Sequence, residues 1–278
     1  MKMGSLAGIR ASHALAIAAL DRLFARQRIH YSGNYASWDE AAAVCRGYDD
    51  DLILDRVRGA TQAVVEGRAA FERDSVLFHD PEYNWPLLAL LFKQQTTMPG
   101  AVTVLDFGGA LGSAYHQHRK WLDGIPGLRW CVVEQPHFAA CGRKEFETDR
   151  LKFYDSLDEC LQCEPITFAL FSCVLSYLRE PEQVLAAVAR AAVPCLLVDQ
   201  ALVWTDGHGG ERIVVQHVPA HIYRGAYPAR IVSSAQVLAP LMPLYRLVTV
   251  ETGYETPVIL CRPWRVAGYR RFVVERVT

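Results

Sequence analysis

The most constraining feature of this chain is a short apolar run that leads into a cluster of glycines. Residues 102–113 have the sequence Val-Thr-Val-Leu-Asp-Phe-Gly-Gly-Ala-Leu-Gly-Ser. The apolar and β-branched residues predict a buried strand, and the glycines let the backbone turn sharply and pass close to a ligand before a helix begins. Most of the functional interpretation depends on this turn.

The glycine turn carries a carboxylate at the end of its strand. The pattern starts with Asp106 and continues with Gly108, Gly109 and Gly112. The dinucleotide fingerprint Gly-x-Gly-x-x-Gly binds a pyrophosphate, which requires helix N-terminal N–H groups and no anion nearby. S-adenosylmethionine has no phosphate but carries an ammonium, a sulfonium and a carboxylate, so an acid beside the turn suits it. Such turns also occur without a ligand, and the neighbouring segments must decide.

A second acid follows the next predicted strand. Residues 128–133 are mainly apolar and lead into Glu134, about 22 residues beyond Gly112, which is the spacing expected across a βαβ unit. An acid at the tip of the second strand of such a unit is placed to accept hydrogen bonds from a ribose diol. Glu134 is therefore the predicted ribose anchor, and the alternative is a solvated charge at a strand end.

Further apolar segments extend the alternation of strands and helices. Residues 151–155, 167–172 and 193–199 predict the third, fourth and fifth strands, and residues 183–190 predict a helix. This pattern predicts an α/β fold with a doubly wound, mainly parallel sheet that binds ligands at the carboxyl ends of its strands. The polar residues expected at that one edge are Asp106, Glu134, Asp155, Ser172 and Asp199.

The segment after the fourth strand makes the chain similar to a known superfamily. Residues 174–178, followed by Pro181 and Glu182, resemble the post-strand motif of class I S-adenosylmethionine-dependent methyltransferases, which have a Rossmann-like fold. More narrowly, the chain resembles a family of bacterial proteins assigned as methyltransferases and associated with surface-polysaccharide or secondary-metabolite gene clusters. The motifs that carry this narrower resemblance are Gly33-Asn34-Tyr35, residues 72–78, residues 106–109, residues 133–138 and the stretch from Tyr223 to Pro228.

The resemblance implies a methyltransferase fold with seven strands and S-adenosylmethionine as cofactor, but it specifies no substrate. It also suggests that Glu72, Arg73 and Asp74 reach the active site, where Arg73 would bind the methionine carboxylate; alternatively, these charges cap a helix and pair with one another. The family tends to carry Asp-Arg after the fifth strand, where this chain has Asp199-Gln200. The predicted cofactor-binding residues are Arg73, Asp106, Gly108, Gly109, Gly112, Glu134, Gln135, Asp155, Ser172 and Tyr177.

Composition agrees with a soluble enzyme. The chain has 278 residues, is 51% hydrophobic and 21% charged, and carries a formal net charge of -1, so it can bury an α/β core and an accessory segment. This balance indicates neither a nucleic-acid nor a membrane partner. The eight scattered cysteines suit reduced thiols in a cytoplasm. Cys160 and Cys163 have the spacing of half a zinc site, but no second pair lies nearby, so no metal is predicted.

Two regions are predicted to lie outside the core sheet. Residues 1–99 are interpreted as a helical segment that forms a lid and binds the acceptor, with helices over 38–45, 51–66 and 85–95. Residues 100–278 form the cofactor-binding core, with a long insertion at 200–230. The sixth and seventh strands are expected at 245–252 and 271–277, and an amphipathic N-terminal helix is preferred to a signal peptide at 14–20.

The predicted reaction is methylation of a small molecule or sugar, most simply at oxygen. A hydroxyl acceptor requires a base, for which His217 is favoured and His79 is the second candidate. The alternatives are a catalytically silent cofactor-binding or scaffold protein and, less well supported, a nucleotide-dependent oxidoreductase. A homodimer is compatible with the sequence. The residues predicted to bind the acceptor are Tyr83, Trp85, His221, Tyr223 and Tyr227.

Overall fold

A computed structural model describes residues 29–45, 51–97, 100–207, 209–219, 222, 225–253, 258–260 and 265–277. The predicted helix at 14–20 lies outside these residues. The segment before the core contains the three predicted helices, but it also contains three strands that were not predicted. Its elements are β1 (His30–Tyr35), α1 (Trp38–Ala43), α2 (Asp51–Val65), β2 (Phe71–Arg73), β3 (Val76–Phe78) and α3 (Trp85–Thr97).

The core alternates strands and helices as predicted. It consists of β4 (Thr103–Phe107), α4 (Ser113–Leu122), β5 (Arg129–Val133), α5 (Pro136–Glu145), β6 (Leu151–Tyr154), α6 (Leu157–Cys163), β7 (Phe168–Ser172), α7 (Pro181–Arg190) and β8 (Cys195–Trp204). The five strands are parallel and lie in the order β8-β7-β4-β5-β6. This is a doubly wound α/β sheet with helices on both faces, which confirms the predicted Rossmann-like fold class.

Antiparallel strands extend the sheet beyond β8. The remaining elements are β9 (Arg212–Val218), β10 (Gly225–Ile231), α8 (Ser234–Leu238), β11 (Tyr245–Thr252), β12 (Val258–Leu260) and β13 (Arg265–Arg276). β13 pairs with β8, and β11 pairs with β13, so the predicted final hairpin is present. The seven strands of the predicted sheet are therefore present, and the short β12 pairs with β13 beside them.

The insertion at 200–230 is not the predicted loop. β8 continues through its first residues, and β9 and β10 form a hairpin that pairs with β1 in a separate three-stranded antiparallel sheet. Tyr31 of β1 lies opposite Gln216 of β9, and His30 lies opposite His217. The sequence of β9 gave no clear alternating strand pattern, because this central strand is covered on both faces. One of its two partners, β1, is also distant in sequence.

Burial is greatest in the parallel strands. All ten residues of β8 are buried, as are the first four of β4 and of β7. Leu87, Leu88 and Leu91 of α3 pack against one face of this sheet, and each such side chain contributes about 1.5–3 kcal/mol by leaving water. The carboxyl edge is therefore carried by a rigid core. Among the helices in the described ranges, none combines the length and apolar character needed to cross a bilayer.

Candidate active site at the carboxyl edge of the sheet

The glycine turn after β4 has a backbone that other residues tolerate poorly. Gly108 has φ +74°, and a Cβ placed there would lie 2.5 Å from Cγ2 of Val174. Gly112 has φ +86° and is the N-cap of α4. A Cβ on Gly109 would lie 2.4 Å from Oδ2 of Asp106. The predicted strand, turn and helix are therefore present, and glycine is required for both conformation and space.

Asp106 lies beneath this turn rather than on its open side. Its side chain is buried and accepts a hydrogen bond of 2.9 Å from Nε1 of Trp130 on β5. Burial raises the pKa of Asp106 to about 7, and the charge of Glu134 adds to the increase. Asp106 thus supports the turn from behind, and its direct contact with a cofactor stays a prediction. Sequence reasoning missed Trp130, which looked like any large residue in a buried strand.

The raised pKa of Asp106 predicts a pH-dependent stability. Because the folded pKa of about 7 lies above the ordinary value, protonation favours the folded state, and this contribution is lost as the pH rises through about 7. Asp106→Asn retains an oxygen for Trp130 and cannot ionise. Between about pH 4 and about pH 8 the unfolding free energy of the wild type should fall by roughly 3–4 kcal/mol at most because of Asp106, and the variant should not show this fall. Urea denaturation at several pH values measures this.

The exposed Asp158 on α6 provides a control for that experiment. Asp158→Asn should leave the pH dependence of the unfolding free energy close to that of the wild type. If Asp106→Asn follows the wild-type profile as well, the buried carboxyl does not titrate as proposed.

Glu134 joins the tip of β5 to the glycine turn. Its Oε1 accepts the N–H of Gln135 at 2.9 Å, and its Oε2 accepts the N–H of Ala110 in the turn at 3.4 Å. Burial raises the pKa of Glu134. Ala110 has φ +51°, so the turn is also strained at a residue that is not glycine. The structure therefore brings Glu134, Gln135 and the glycine turn together, as the sequence predicted.

The β2–β3 hairpin is attached to the same place by a buried acid. Glu72 accepts hydrogen bonds from the backbone N–H of Ser75, at 3.1 Å, and from the hydroxyl of Ser113 at the start of α4. The two turn residues, Asp74 and Ser75, have φ values of +51° and +66°. Two consecutive left-handed residues are typical of a tight type I′ hairpin turn. Glu72 therefore holds the tip of the hairpin beside the start of α4.

Two charged residues of the hairpin differ in their contacts. Arg73 donates to Oε1 of Glu82 at 3.0 Å and lies near the rings of Phe71 and Phe78. Its predicted contact with a methionine carboxylate stays a prediction and would require exchange of the Glu82 partner. Asp74 is exposed, yet protein surrounds its carboxylate closely enough for desolvation to raise its pKa. Such a combination is typical of a group that lines an open crevice.

Cys173, which follows β7, lies in the same crevice. It has φ +55° and is accessible. Desolvation raises the pKa of its thiol to about 12, with further contributions from the carboxylates of Asp74 and Asp199. The thiol is therefore protonated at neutral pH. Because such charges act at short range, the hairpin tip, the end of β7 and the middle of β8 lie near one another, and we call the region between Asp74, Cys173 and Asp199 the crevice.

Asp199 in β8 is held by partners from two other elements. It accepts from Nε of Arg271 at 2.9 Å and from Nδ2 of Asn84 at 2.7 Å, and Arg271 also pairs with Glu251 at 3.2 Å. Arg271 of β13 thus brings a cation to Asp199. The neighbouring Gln200 has φ +58° and lies where the pairing of β8 with β13 is irregular.

A cluster of phenols forms another wall of the crevice. The Tyr31 hydroxyl lies 2.7 Å from that of Tyr177 and 2.8 Å from that of Tyr269. Nε2 of Gln216 donates to Tyr31 at 2.9 Å and to Tyr177 at 2.7 Å. Burial raises the pKa of Tyr31 to about 12 and that of Tyr177 well above its ordinary value, and the thiol of Cys173 adds to both increases. The three phenols therefore stay protonated beside Cys173.

The structure does not bring His217 to this wall. Successive side chains of a strand point to opposite faces, so His217 faces away from the cluster that Gln216 joins. Its Nε2 lies 2.8 Å from the Ser32 hydroxyl, and its ring stacks on His30 with centroids 4.7 Å apart. Burial and His30 lower the pKa of His217. The second candidate base, His79, is exposed after β3.

The other predicted residues are divided among several places. Ser172 ends β7 opposite Asp199, and Asp155 follows β6 and pairs with Arg143 at 3.3 Å. Tyr83 and Trp85 pack edge-to-face on each other and on Trp121 of α4, about 12 Å along that helix from its first residue. Tyr227 is buried opposite Gln216 on the inner face of the second sheet. His221 and Tyr223 lie outside the described residues.

Several residues of the crevice were missed by sequence reasoning. Tyr31, Gln216 and Tyr269 come from three distant parts of the chain, and no local pattern links them. Arg271 was predicted to lie in a strand, but its pairing with Asp199 was not predicted. One signal in the sequence could have helped to find them. Because side chains alternate along a strand, Tyr31 and Gln216 must face the side of their sheet opposite to that of His30 and His217.

The chain is similar to known proteins in fold and not in sequence. No family model matches the chain, and no curated protein matches it. Among solved structures, the N-terminal domain of EvdMO1 with SAH and D-fucose is 17% identical, covers 84% of this chain and 100% of its own, and has a TM-score of 0.48. The cyclase SpnF is 14% identical over 88% of this chain and 98% of its own, with a TM-score of 0.47. The mitomycin 7-O-methyltransferase MmcR is 17% identical over 78% and 67%, with a TM-score of 0.40.

Proposed function

We propose that this chain is an S-adenosylmethionine-dependent methyltransferase that methylates a hydroxyl of a small molecule or sugar. The observation that carries the proposal is the juxtaposition of the glycine turn with Glu134 at the carboxyl edge of a doubly wound sheet, where such sheets bind ligands. Asp106 and Glu134 place two acids at the turn, which disfavours a pyrophosphate cofactor and suits a sulfonium.

The residues present fit this cofactor. Glycine at position 108 leaves the backbone of the turn accessible to a ligand. A side chain there would collide with Val174 beside the turn. Glu134 uses one backbone N–H for each carboxylate oxygen, so lone pairs remain for the two hydroxyls of a ribose. Those hydroxyls would also compensate the desolvation that raises the pKa of Glu134.

The residues of the crevice would remove the proton of the acceptor and bind its oxygen. S-adenosylmethionine supplies an electrophilic methyl group when it is bound. The Asp74 carboxylate, which makes no hydrogen bond within the described ranges and has a raised pKa, takes the proton of the acceptor hydroxyl at an Oδ atom. The protonated phenols of Tyr31, Tyr177 and Tyr269 form the wall against which the acceptor oxygen would lie. The base thus comes from the hairpin instead of His217.

Calorimetry with S-adenosylmethionine tests the cofactor part of the proposal. Glu134→Ala removes the charge-assisted contact with the ribose, so we expect affinity to fall by about ten- to a hundredfold. The exposed Glu66, which lies at the end of α2 away from the crevice, provides the control Glu66→Ala with unchanged affinity. Absence of binding by the wild type, or a preference for NAD, would refute the proposal.

A further inference from the structure

One edge of the main sheet is long, apolar and exposed. Among the residues that the structure describes, β11 pairs with β13 on one side only, and seven of its eight residues are not buried. Leu247, Val248 and Val250 are 43%, 47% and 45% exposed. Exposed apolar edge strands are templates for pairing with another chain, and stable monomers usually protect them with charges, proline, β-bulges or very short strands. β11 has an irregularity and two charged residues, yet it leaves three apolar side chains exposed to a partner.

The opposite edge of the same sheet is protected in the usual manner. β6 has only four residues, two of them buried. Lys152 in its middle pairs with Glu147, and Asp155 directly after it pairs with Arg143. The contrast shows that exposure of apolar residues is a property of β11 and not of both edges.

An irregularity in β11 determines which of its side chains lie on the same face of the sheet. Arg246 lies opposite Glu275, and Glu251 lies opposite Arg271. The two residues are five positions apart on β11, whereas their partners are only four positions apart on β13. The extra residue lies at the register shift between Leu247 and Thr249. Arg246 and Glu251 consequently share one face. By the same pairing, Leu247 and Val250 share the other face, because their partners Val274 and Phe272 are two residues apart.

This arrangement is complementary to itself. When two copies of β11 run antiparallel about a twofold axis at the irregularity, Arg246 lies opposite Glu251 of the partner subunit, and Leu247 lies opposite Val250 of the partner subunit. Each pair occurs twice, as an isologous interface requires. Without the extra residue, Arg246 and Glu251 would point to opposite faces and could not meet.

We propose that a second copy of this chain adds to the β11 edge in this register, so that the two main sheets become continuous. Apolar pairs lie on one face and opposite charges on the other, and both kinds of cross-strand pair stabilise antiparallel sheets. The interface reaches the crevice through charge, because Glu251 also pairs with Arg271, which holds Asp199. Arg246 of the partner subunit therefore extends a series of charges that runs from Asp199 through Arg271 to Glu251.

Sedimentation of the full chain over a concentration series up to about 100 µM tests this interface. We expect a dimer whose dissociation constant rises at least about tenfold in Arg246→Glu and in Glu251→Arg, because each places like charges opposite each other twice. The double variant restores opposite charges across the interface but keeps like charges beside Glu275 and Arg271 within each subunit. It should therefore associate more tightly than either single variant, though more weakly than the wild type. Val250→Lys should abolish the dimer, as lysine does at natural edges.

Val44, which is 62% exposed at the end of α1, provides the control Val44→Lys, for which no change is expected. Circular dichroism with a thermal melt serves as the check that each variant is folded. A monomeric wild type at the highest concentration would overturn the proposal. A dimer that tolerates Val250→Lys would also overturn it, and failure of the double charge reversal to restore association would overturn the register.

Discussion

Replacement of Gly108 by valine is expected to abolish detectable binding of S-adenosylmethionine while leaving a folded protein. Two effects add at this position. A β-branched residue is strained at φ +74°, and its Cβ would lie 2.5 Å from Cγ2 of Val174, which belongs to the segment after β7. Either the turn or the 174 segment must move, and both border the proposed cofactor site. Calorimetry measures the affinity, and circular dichroism with a thermal melt reports the fold.

The chain contains a matched control for this substitution. Gly67, after α2, has φ +75°, but nothing lies within 4 Å of a Cβ built there. Gly67→Val thus has the same backbone strain without the steric conflict, and it should retain wild-type affinity. Wild-type affinity in Gly108→Val would show that the turn does not contact the cofactor. Equal loss in both variants would assign the effect to global destabilisation.

Asp74→Asn is expected to lower methyl transfer by roughly 10²–10⁴-fold, the usual contribution of a general base. The carboxamide preserves the size of the side chain and the left-handed turn, which asparagine tolerates. S-adenosylmethionine affinity should change little. The reaction can be followed as label transferred from methyl-labelled S-adenosylmethionine into a small-molecule extract of the source organism, and later with the isolated acceptor.

The pH dependence distinguishes a base from a residue that only shapes the crevice. Because desolvation raises the pKa of Asp74, the wild-type rate should fall on acidification as the pH passes down through that raised value, and Asp74→Asn should lose this limb. His217→Ala serves as the comparison, since His217 faces away from the crevice. Full activity in Asp74→Asn, or a large loss in His217→Ala, would return the role of base to the histidine.

The parallel core could be predicted because its signals are local. Each strand of the βαβ units is a short apolar run that ends at a turn, and the carboxyl ends of parallel strands must share an edge. Asp106, Glu134, Ser172 and Asp199 were therefore placed correctly with respect to the sheet. Their individual directions were not predictable. Asp106 turned out to lie beneath the turn, bonded to Trp130, because the side-chain direction depends on packing across two strands.

The second sheet and the crevice wall could not be predicted because their partners are distant in sequence. The pairing of β1 with β9 has no local signature, and Tyr31 meets Tyr177 across 146 residues and Tyr269 across 238. Histidines attracted attention as ordinary bases in the sequence. The geometry favours an aspartate instead, since the β2–β3 hairpin carries Asp74 to the crevice and desolvation alters its proton affinity.

The separation between β1 and β9 has a consequence for the order of folding. The hydrogen bond between Ser32 and His217 spans 185 residues, so closing this contact costs more chain entropy than forming any βαβ unit of the core. During synthesis β1 must wait until β9 has been made, by which time the glycine turn, β5 and β7 are already complete. We therefore expect β1 to acquire hydrogen-exchange protection late in refolding, and the crevice to gain its phenol wall only after the cofactor side of the molecule has formed.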